Sequence, residues 1–252
     1  MVQNRAMRYF LGVHRLTPIL AVQGEIGWST SFCRHQLNML RLWNHILTME
    51  EERITKKVFY LDRAQPNQSN WTSHIKTLMD SLDMTQHYLN LRTCDLKVAD
   101  DKLHHQSSVH WLQNIQNTSK LRTYCLFKTQ YTAEKYVELD LPKNVRSVMA
   151  MFRCGILPLR IETGRYKCEP FEDRICVLCD QNEIETEKHF LLHCPLYNRL
   201  RNDFFNKIGV SQYQNLILDY SLFVNIIINY PRQTANFIFN SYQIRQQKLR
   251  RN

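Results

Sequence analysis

Glycine and proline are scarce in this chain of 252 residues, which contains only 6 of the former and 7 of the latter. Both residues supply the special backbone angles of tight turns, so an architecture rich in β-turns needs many of them. Hydrophobic residues, in contrast, make up 44% of the chain, which is enough for a packed core. This composition predicts a folded, mainly α-helical protein.

Long apolar runs are also missing. The most apolar stretch, residues 216–230, is too short to cross a bilayer and is interrupted by Asp219, Asn225 and Asn229. Polar and basic residues follow Met1, so the start of the chain does not resemble a secretory signal. We therefore expect an intracellular protein without a membrane partner, in which the eight cysteines are reduced or metal-bound.

The sequence lacks the common catalytic motifs: a nucleophile elbow, a phosphate-binding loop and a dinucleotide fingerprint. Asp100 and Asp101 resemble the paired aspartates that hold two Mg²⁺ ions in polymerases. Such a pair needs a β-hairpin with apolar strands, whereas the residues on either side are charged and helical in pattern. We expect these two aspartates to lie on a solvated helix face, and the chain by itself to have no enzymatic activity.

Positive charge is in excess, with 33 Lys and Arg against 23 Asp and Glu, a net charge of +10. Such an excess favours a polyanionic partner such as RNA or DNA. Residues 121–136 mix basic and aromatic side chains, which could grip a phosphate backbone and stack on bases. A partly buried amphipathic segment would have the same pattern, so both interpretations stay open.

Four potential metal ligands lie close together in the sequence. Cys176, Cys179, His189 and Cys194 form the pattern C-x2-C-x9-H-x4-C. A tight knuckle between the first two cysteines can turn both sulfurs toward one point, and thiolates with a neutral imidazole are preferred ligands of tetrahedral zinc. Four protein ligands leave no open position, which is typical of a structural site. We predict one structural Zn²⁺ ion per chain.

Two nearby residues are alternative ligands. His193 precedes Cys194 and could replace either His189 or Cys194, while Cys168 is a weaker substitute eight residues before Cys176. The segment from 185 to 192 predicts one or two helical turns that would present His189, and Pro195 would end or restart the helix.

Hydrophobic periodicity predicts a helical bundle-like domain, a small zinc-binding module and closing helices. Helices are predicted from Thr17-Pro18 onward, at 29–49, 53–64, 71–82 and 95–117, after Pro142, and at 198–208, 213–229 and 232–249. The run 154–166 is predicted to be rich in turns. The cations Arg245, Lys248, Arg250 and Arg251 are expected to form a solvated tail.

Two stretches resemble a known family. The run R-C-G-I-L-P-L-R-I-E-T-G-R-Y at 153–166, together with the zinc segment ending H-F-L-L-H-C-P-L-Y, resembles the zinc-binding region downstream of non-LTR (LINE-type) retrotransposon reverse transcriptases. The run R-Y-F-L-G-V-H-R-L-T-P-I-L-A-V-Q-G-E-I-G-W at 8–28 is similar to the segment that follows the polymerase palm in such elements. The resemblance covers nearly the whole chain.

The resemblance implies that Cys176, Cys179, His189 and Cys194 are zinc ligands and that this region grips template nucleic acid. It also implies four segments: residues 1–66 after the palm, 67–152 as a helical connector, 153–210 as the zinc module and 211–252 as C-terminal helices with a basic tail. The fingers, the palm and its aspartate pair do not match this chain, so we expect a truncated reading frame without polymerase chemistry. The helices at 29–64 are expected to expose an apolar face where a palm would dock.

Our first hypothesis is a non-catalytic nucleic-acid-binding fragment. Its RNA- or DNA-binding surface would consist of Arg160, Arg165, Lys167, Arg174, Lys188 and Arg199. The second hypothesis is a zinc-stapled helical module that binds a protein, such as a polymerase core supplied in trans, and a relic without independent activity is the third. Pairing of these arginines with Glu183, Glu185 and Glu187, or their scatter over several faces, would favour the second hypothesis.

Overall fold

The computed structural model describes residues 2–65, 69–209 and 220–251, and within these ranges it is all-helical and contains no strand. The α-helices are α1 (Val2–Leu11), α2 (Ile19–Ile26), α3 (Ser31–Thr48), α4 (Ile54–Ala64), α5 (Trp71–Ser81), α6 (Thr85–Leu89), α7 (Leu96–Gln116), α8 (Tyr124–Phe127), α9 (Lys135–Glu138), α10 (Lys143–Arg153), α11 (Arg160–Tyr166), α12 (Asn198–Lys207), α13 (Tyr220–Asn229) and α14 (Pro231–Leu249). Short 3₁₀ helices span Ser119–Leu121 and Pro195–Tyr197, and a π-helix spans His189–His193. The predicted mainly α fold class is confirmed.

The chain packs as two compact units. One unit comprises Ser29–His110, and the other combines Met1–Trp28 with Trp111–Asn252. We call them the inserted unit and the zinc unit, because the second contains the four potential metal ligands. The four segments predicted from the sequence concern functional organisation, and they stay a prediction.

The inserted unit is built around Trp43. Its ring stacks on Tyr88 at 5.5 Å between centroids and meets the edge of Phe59 at 5.6 Å. Helix α5 begins where the Asn70 side chain accepts a hydrogen bond from the Ser73 N–H, a typical N-cap. This unit therefore forms its own aromatic core, to which the predicted helices α3 and α4 contribute Trp43 and Phe59 and the unpredicted short helix α6 contributes Tyr88.

Two expectations for the inserted unit concern its surface. Asp100 and Asp101 are exposed on α7, which places them on a helix face rather than in a hairpin. On α4, the side chains of Ile54, Val58 and Leu61 are more than half exposed. Their spacing places them on one side of the helix, so the region 29–64 does expose apolar side chains.

The zinc unit has a core in which α10 packs against α14 and α1. Val148, Met149 and Phe152 of α10 are buried, as their spacing predicted. The aromatic residues of the mixed segment 121–136 also face inward, since Tyr124, Phe127, Tyr131 and Tyr136 are all buried. Those rings belong to the core and are not a stacking surface for bases.

A buried ion-pair network crosses this core. Arg153 donates to both carboxylate oxygens of Glu25, at 2.7 and 3.1 Å, and lies 2.7 Å from Glu134. Lys128 also pairs with Glu134. Buried charges are tolerated when every group has a partner, and here the network joins α10 to the C-terminal end of α2.

Several details differ from the sequence-based predictions. Residues 160–166 form helix α11 instead of turns, and the helices α1, α6, α8 and α9 were not predicted. Arg245 is buried and paired, not part of a solvated tail. The predicted helix 213–229 is seen from Tyr220 onward, and residues 213–219 lie outside the described residues. In the described ranges, none of the helices is both long and apolar enough to span a membrane.

Candidate metal centre

A narrow hairpin brings the first two cysteines together. The Cys176 N–H donates to the Glu183 carbonyl at 2.8 Å, and the Glu185 N–H donates to the Arg174 carbonyl at 3.0 Å. Asn182 completes the reversal with a positive φ of 55°, a conformation that asparagine tolerates better than most residues. The chain therefore turns back sharply between Cys176 and Glu183, as the C-x2-C spacing predicted.

The other two ligands lie at the ends of the π-helix. The Cys194 N–H donates to the His189 carbonyl at 2.8 Å, which is the i to i+5 bond of this helix type. A π turn is rare and often marks a functional site. Here it places His189 and Cys194 on the same side of the turn, and Pro195 then starts a 3₁₀ turn.

The four ligand atoms of Cys176, Cys179, His189 and Cys194 all lie within 4.8 Å of one another. Cys176, His189 and Cys194 are buried, and Cys179 is half-buried. Zn–S bonds of about 2.3 Å require this kind of spacing around a tetrahedral centre. The cluster could bind one metal ion, and it supplies all four ligands of a tetrahedral site.

The structure also separates the alternative ligands from this cluster. His193 has a half-buried side chain whose Nδ1 lies 3.4 Å from Glu183 Oε2, and it is not among the four clustered residues. Cys168 is exposed and is not in the cluster either. His189 and Cys194 are therefore the better candidates for the third and fourth positions.

Glu183 fixes the orientation of the histidine ligand. Its Oε2 lies 2.8 Å from His189 Nδ1, which leaves Nε2 directed at Cys179 Sγ, 3.5 Å away. A carboxylate on the far nitrogen is the usual support of a metal-bound histidine. The hydrogen bond to His189 also lowers the pKa of Glu183, so the carboxylate stays charged. The sequence had suggested Glu183 only as a partner for arginines.

The thiols are coupled to one another. The hydrogen bond with Cys194 raises the pKa of Cys176 to about 12, while the same bond lowers the pKa of Cys194. Backbone hydrogen bonds from Leu178 and Leu196 act on these two sulfurs and favour their thiolate forms. At Cys176 the opposing contributions outweigh the backbone bond, and burial raises the pKa of Cys179 as well.

A buried arginine supports the fourth ligand. Arg201 Nε donates to the Leu191 carbonyl at 2.9 Å, and Nη2 donates to the Cys194 carbonyl at 2.8 Å. Burial lowers the pKa of Arg201 to about 10, although the nearby Cys194 acts in the opposite direction. Three thiolates with one Zn²⁺ carry one net negative charge, which this guanidinium would help to balance.

The hairpin is also tied to the C-terminal helix. Arg245 of α14 forms a two-point ion pair with Glu185, at 2.9 and 2.8 Å, and both side chains are buried. The Arg160 N–H donates to the same carboxylate at 2.7 Å. The cluster therefore rests on α11 and α14 rather than on a free loop.

The six residues predicted to bind nucleic acid have different environments. Arg160 pairs with Glu169 at 2.6 Å, Arg165 pairs with Glu162 at 3.0 Å, and Arg174 donates to main-chain carbonyls. Lys188 lies over the Tyr220 ring at 4.8 Å, and Lys167 and Arg199 are exposed. Half of the predicted cations therefore have internal acceptors.

No protein-family model, curated protein or solved structure matches this chain. The resemblance to LINE-type reverse transcriptases accordingly stays a prediction from the sequence runs quoted above.

Proposed function

We propose that the Cys176, Cys179, His189 and Cys194 cluster binds one Zn²⁺ ion as a structural site. The convergence of these four ligands supports the proposal most strongly, because a closed set of three thiolates and one imidazole has no position for a substrate. The Glu183 hydrogen bond supports zinc further, since it leaves Nε2 of His189 available as a ligand. The ion would hold the hairpin, the π-helix and the Cys194 turn together.

We further propose that the protein is a non-catalytic nucleic-acid-binding module, derived from the C-terminal region of a LINE-type reverse transcriptase. The net charge of +10 supports a polyanionic partner. Lys167, Lys188 and Arg199 of the zinc module have no carboxylate partner among the described residues, so their charges are available to phosphates. Such contacts are independent of base sequence and weaken with salt.

The test is a titration of the zinc-loaded full chain with a labelled single strand of about 20 nucleotides, at several salt concentrations. A single strand held by Z phosphate contacts gives a slope of about −0.7Z in a plot of log K against log salt. The Lys188→Gln, Arg199→Gln double variant should weaken binding and make this slope shallower by about 1.4. The control is the double variant Arg34→Gln, Lys97→Gln, which removes the same two positive charges from the inserted unit. Affinity that does not change with salt would contradict the proposal.

A protein-binding module stapled by zinc is the second candidate. The ion pairs of Arg160 and Arg165 with Glu169 and Glu162 favour it, because cations that are neutralised internally contribute little to binding a polyanion. A polymerase core acting in trans would be one such partner. In the titration above, this candidate predicts weak binding to nucleic acid at any salt concentration.

A further inference from the structure

Helices α1 and α10 approach each other closely in the zinc unit. Ser147 Oγ donates to the Gly12 carbonyl at 2.6 Å, and a Cβ on Gly12 would come within 2.7 Å of that oxygen. Gly12 also has a φ of 68°, which glycine adopts without strain. The N-terminal turns of α10 and the end of α1 therefore share one surface, with an open cleft of about 620 Å³ lined by Gly12, Lys143, Asn144 and Ser147.

Two exposed aromatic rings on α1 each contact a cation of α10. The Lys143 ammonium lies 4.5 Å from the centre of the Tyr9 ring, and the Arg146 guanidinium lies 4.5 Å from that of Phe10. Tyr9 is 76% exposed and Phe10 is 37% exposed. Because each cation covers only part of its ring, ring surface remains accessible to solvent.

This surface carries an excess of positive charge. Residues 2–24 and 141–161 contain no Asp or Glu, and the nearest carboxylates before α10 are those of Glu138 and Asp140. Arg5 of α1 adds to the charges of Lys143 and Arg146, and among the described residues none of these three forms an ion pair. The zinc module differs, because its Arg160 and Arg165 are paired with carboxylates.

We propose that this α1–α10 face binds a single-stranded nucleic acid, with bases stacked on Tyr9 and Phe10 and phosphates contacted by Arg5, Lys143 and Arg146. Exposed rings interleaved with cations are the chemistry that holds single strands without sequence preference. A duplex fits less well, since its paired bases cannot reach the rings. The inference rests on the proposed nucleic-acid function, but it assigns the strand to a face outside the metal cluster.

An anionic membrane surface is the main competing partner for cations beside aromatic rings. A membrane-binding helix must insert an apolar face into the lipid headgroups. The apolar side chains Met7 and Leu11 of α1 are already buried in the core of the zinc unit. The exposed side of α1 carries Val2, Ala6, Tyr9 and Phe10. A cation of α10 partly covers each of the two rings, which favours a strand that contacts ring and cation together over insertion of the rings into lipid.

The test compares two variants of the zinc-loaded full chain, Tyr9→Leu and Lys143→Gln. Tyr9→Leu keeps apolar volume but removes the ring, and it should weaken binding to a labelled 20-nucleotide strand by at least about five-fold, with the salt slope unchanged. Lys143→Gln should make the slope shallower by about 0.7. Tyr60→Leu and Lys97→Gln, both on the inserted unit, are the matched controls.

The outcomes distinguish this inference from the broader proposal. One outcome is that the wild-type protein binds the strand, that Tyr9→Leu and Lys143→Gln keep affinities within two-fold of it, and that the Lys188→Gln, Arg199→Gln double variant binds weakly. In that case the α1–α10 assignment is wrong and the proposed function stands. If wild-type protein binds no strand, both are wrong. Equal affinity for a 20-base-pair duplex, or Tyr9-dependent binding to phosphatidylserine vesicles without binding to the strand, also overturns the inference. Matched RNA and DNA strands show whether the 2′-hydroxyl contributes.

Discussion

At the scale of single residues, Glu183 is the most informative side chain near the metal cluster. It lies six residues before His189 in the sequence, and no spacing rule connects the two. In the folded chain its carboxylate lies 2.8 Å from His189 Nδ1 and selects Nε2 as the metal ligand. The ligands could be read from their spacing, but the residue that orients one of them could not.

Replacing Glu183 tests that role. Glu183→Gln keeps the shape of the side chain but removes the charge that stabilises the imidazole N–H. We expect zinc affinity to fall by about 10-fold, within the range for loss of a residue that supports a ligand. Competition with a chelator of known affinity measures this change. Glu172→Gln, at an exposed carboxylate in the same segment, should leave affinity unchanged, and equal affinities for all three proteins would contradict the assignment.

A second residue-scale prediction concerns pH. Lys76 and Thr85 donate to Asp80 at 2.8 and 2.7 Å, and the pKa of Asp80 is thereby lowered from its usual 3.8. A carboxyl whose pKa is lowered by folding stabilises the fold above that usual value, and the stabilisation is lost as pH falls through the folded pKa. Lys76→Met should move the pKa of Asp80 back toward 3.8.

Carboxyl ¹³C NMR titration measures the pKa of Asp80 directly. Only part of the shift should be lost in Lys76→Met, because the Thr85 hydrogen bond remains. Lys57→Met removes the cation of another exposed pair and should leave the pKa of Asp80 as it is in the wild type. An unchanged pKa in Lys76→Met would mean that the contact does not form in solution.

At the scale of helices, the periodicity of apolar residues predicted α3, α4, α5, α7 and α10 to within two residues at most ends. It missed α1, which buries only Met7 and Leu11 and so has a narrow apolar stripe. It also missed the short helices α6, α8 and α9, and it missed α11 because the glycines and proline of 153–166 suggested turns. The π-helix depends on the Cys194 N–H bonding to the carbonyl five residues back, at His189, instead of the one four residues back, and the sequence has no signal for this local choice.

The end of α2 gives a prediction at this scale. Gly27 has a φ of 68°, and a Cβ there would lie 2.2 Å from the Ala133 backbone nitrogen. Gly27→Ala should therefore lower the free energy of unfolding by more than the roughly 1–2 kcal/mol that the left-handed conformation alone costs a residue with a side chain. Gly209→Ala is the matched control, because Gly209 has a φ of 71° but no atom of the described residues within 4 Å of a Cβ added there. Chemical denaturation measures both, and equal losses would contradict the backbone contact.

At the scale of the whole molecule, the sequence predicted the class of fold, but no pattern in it indicated that residues 1–28 pack with those after His110. The zinc unit joins the first 28 residues to those after His110. The buried ion pair of Glu25 and Arg153 connects the N-terminal segment to the later part of this unit, although the two residues are 128 positions apart in the sequence. A charged residue in a sequence does not identify its partner. The pairing of Glu25 with Arg153 and that of Arg245 with Glu185 are therefore known only from the three-dimensional packing.

The zinc content of the purified chain tests the central claim most directly. We predict one zinc per chain, retained in Cys168→Ser and lost in both Cys176→Ser and His189→Ala. Loss of the ion should also unfold the segment from 168 to 200, since metal binding and local folding are coupled in such modules. Elemental analysis together with amide hydrogen exchange measures both effects. A folded wild-type protein without zinc, or a Cys176→Ser variant that keeps it, would contradict the account.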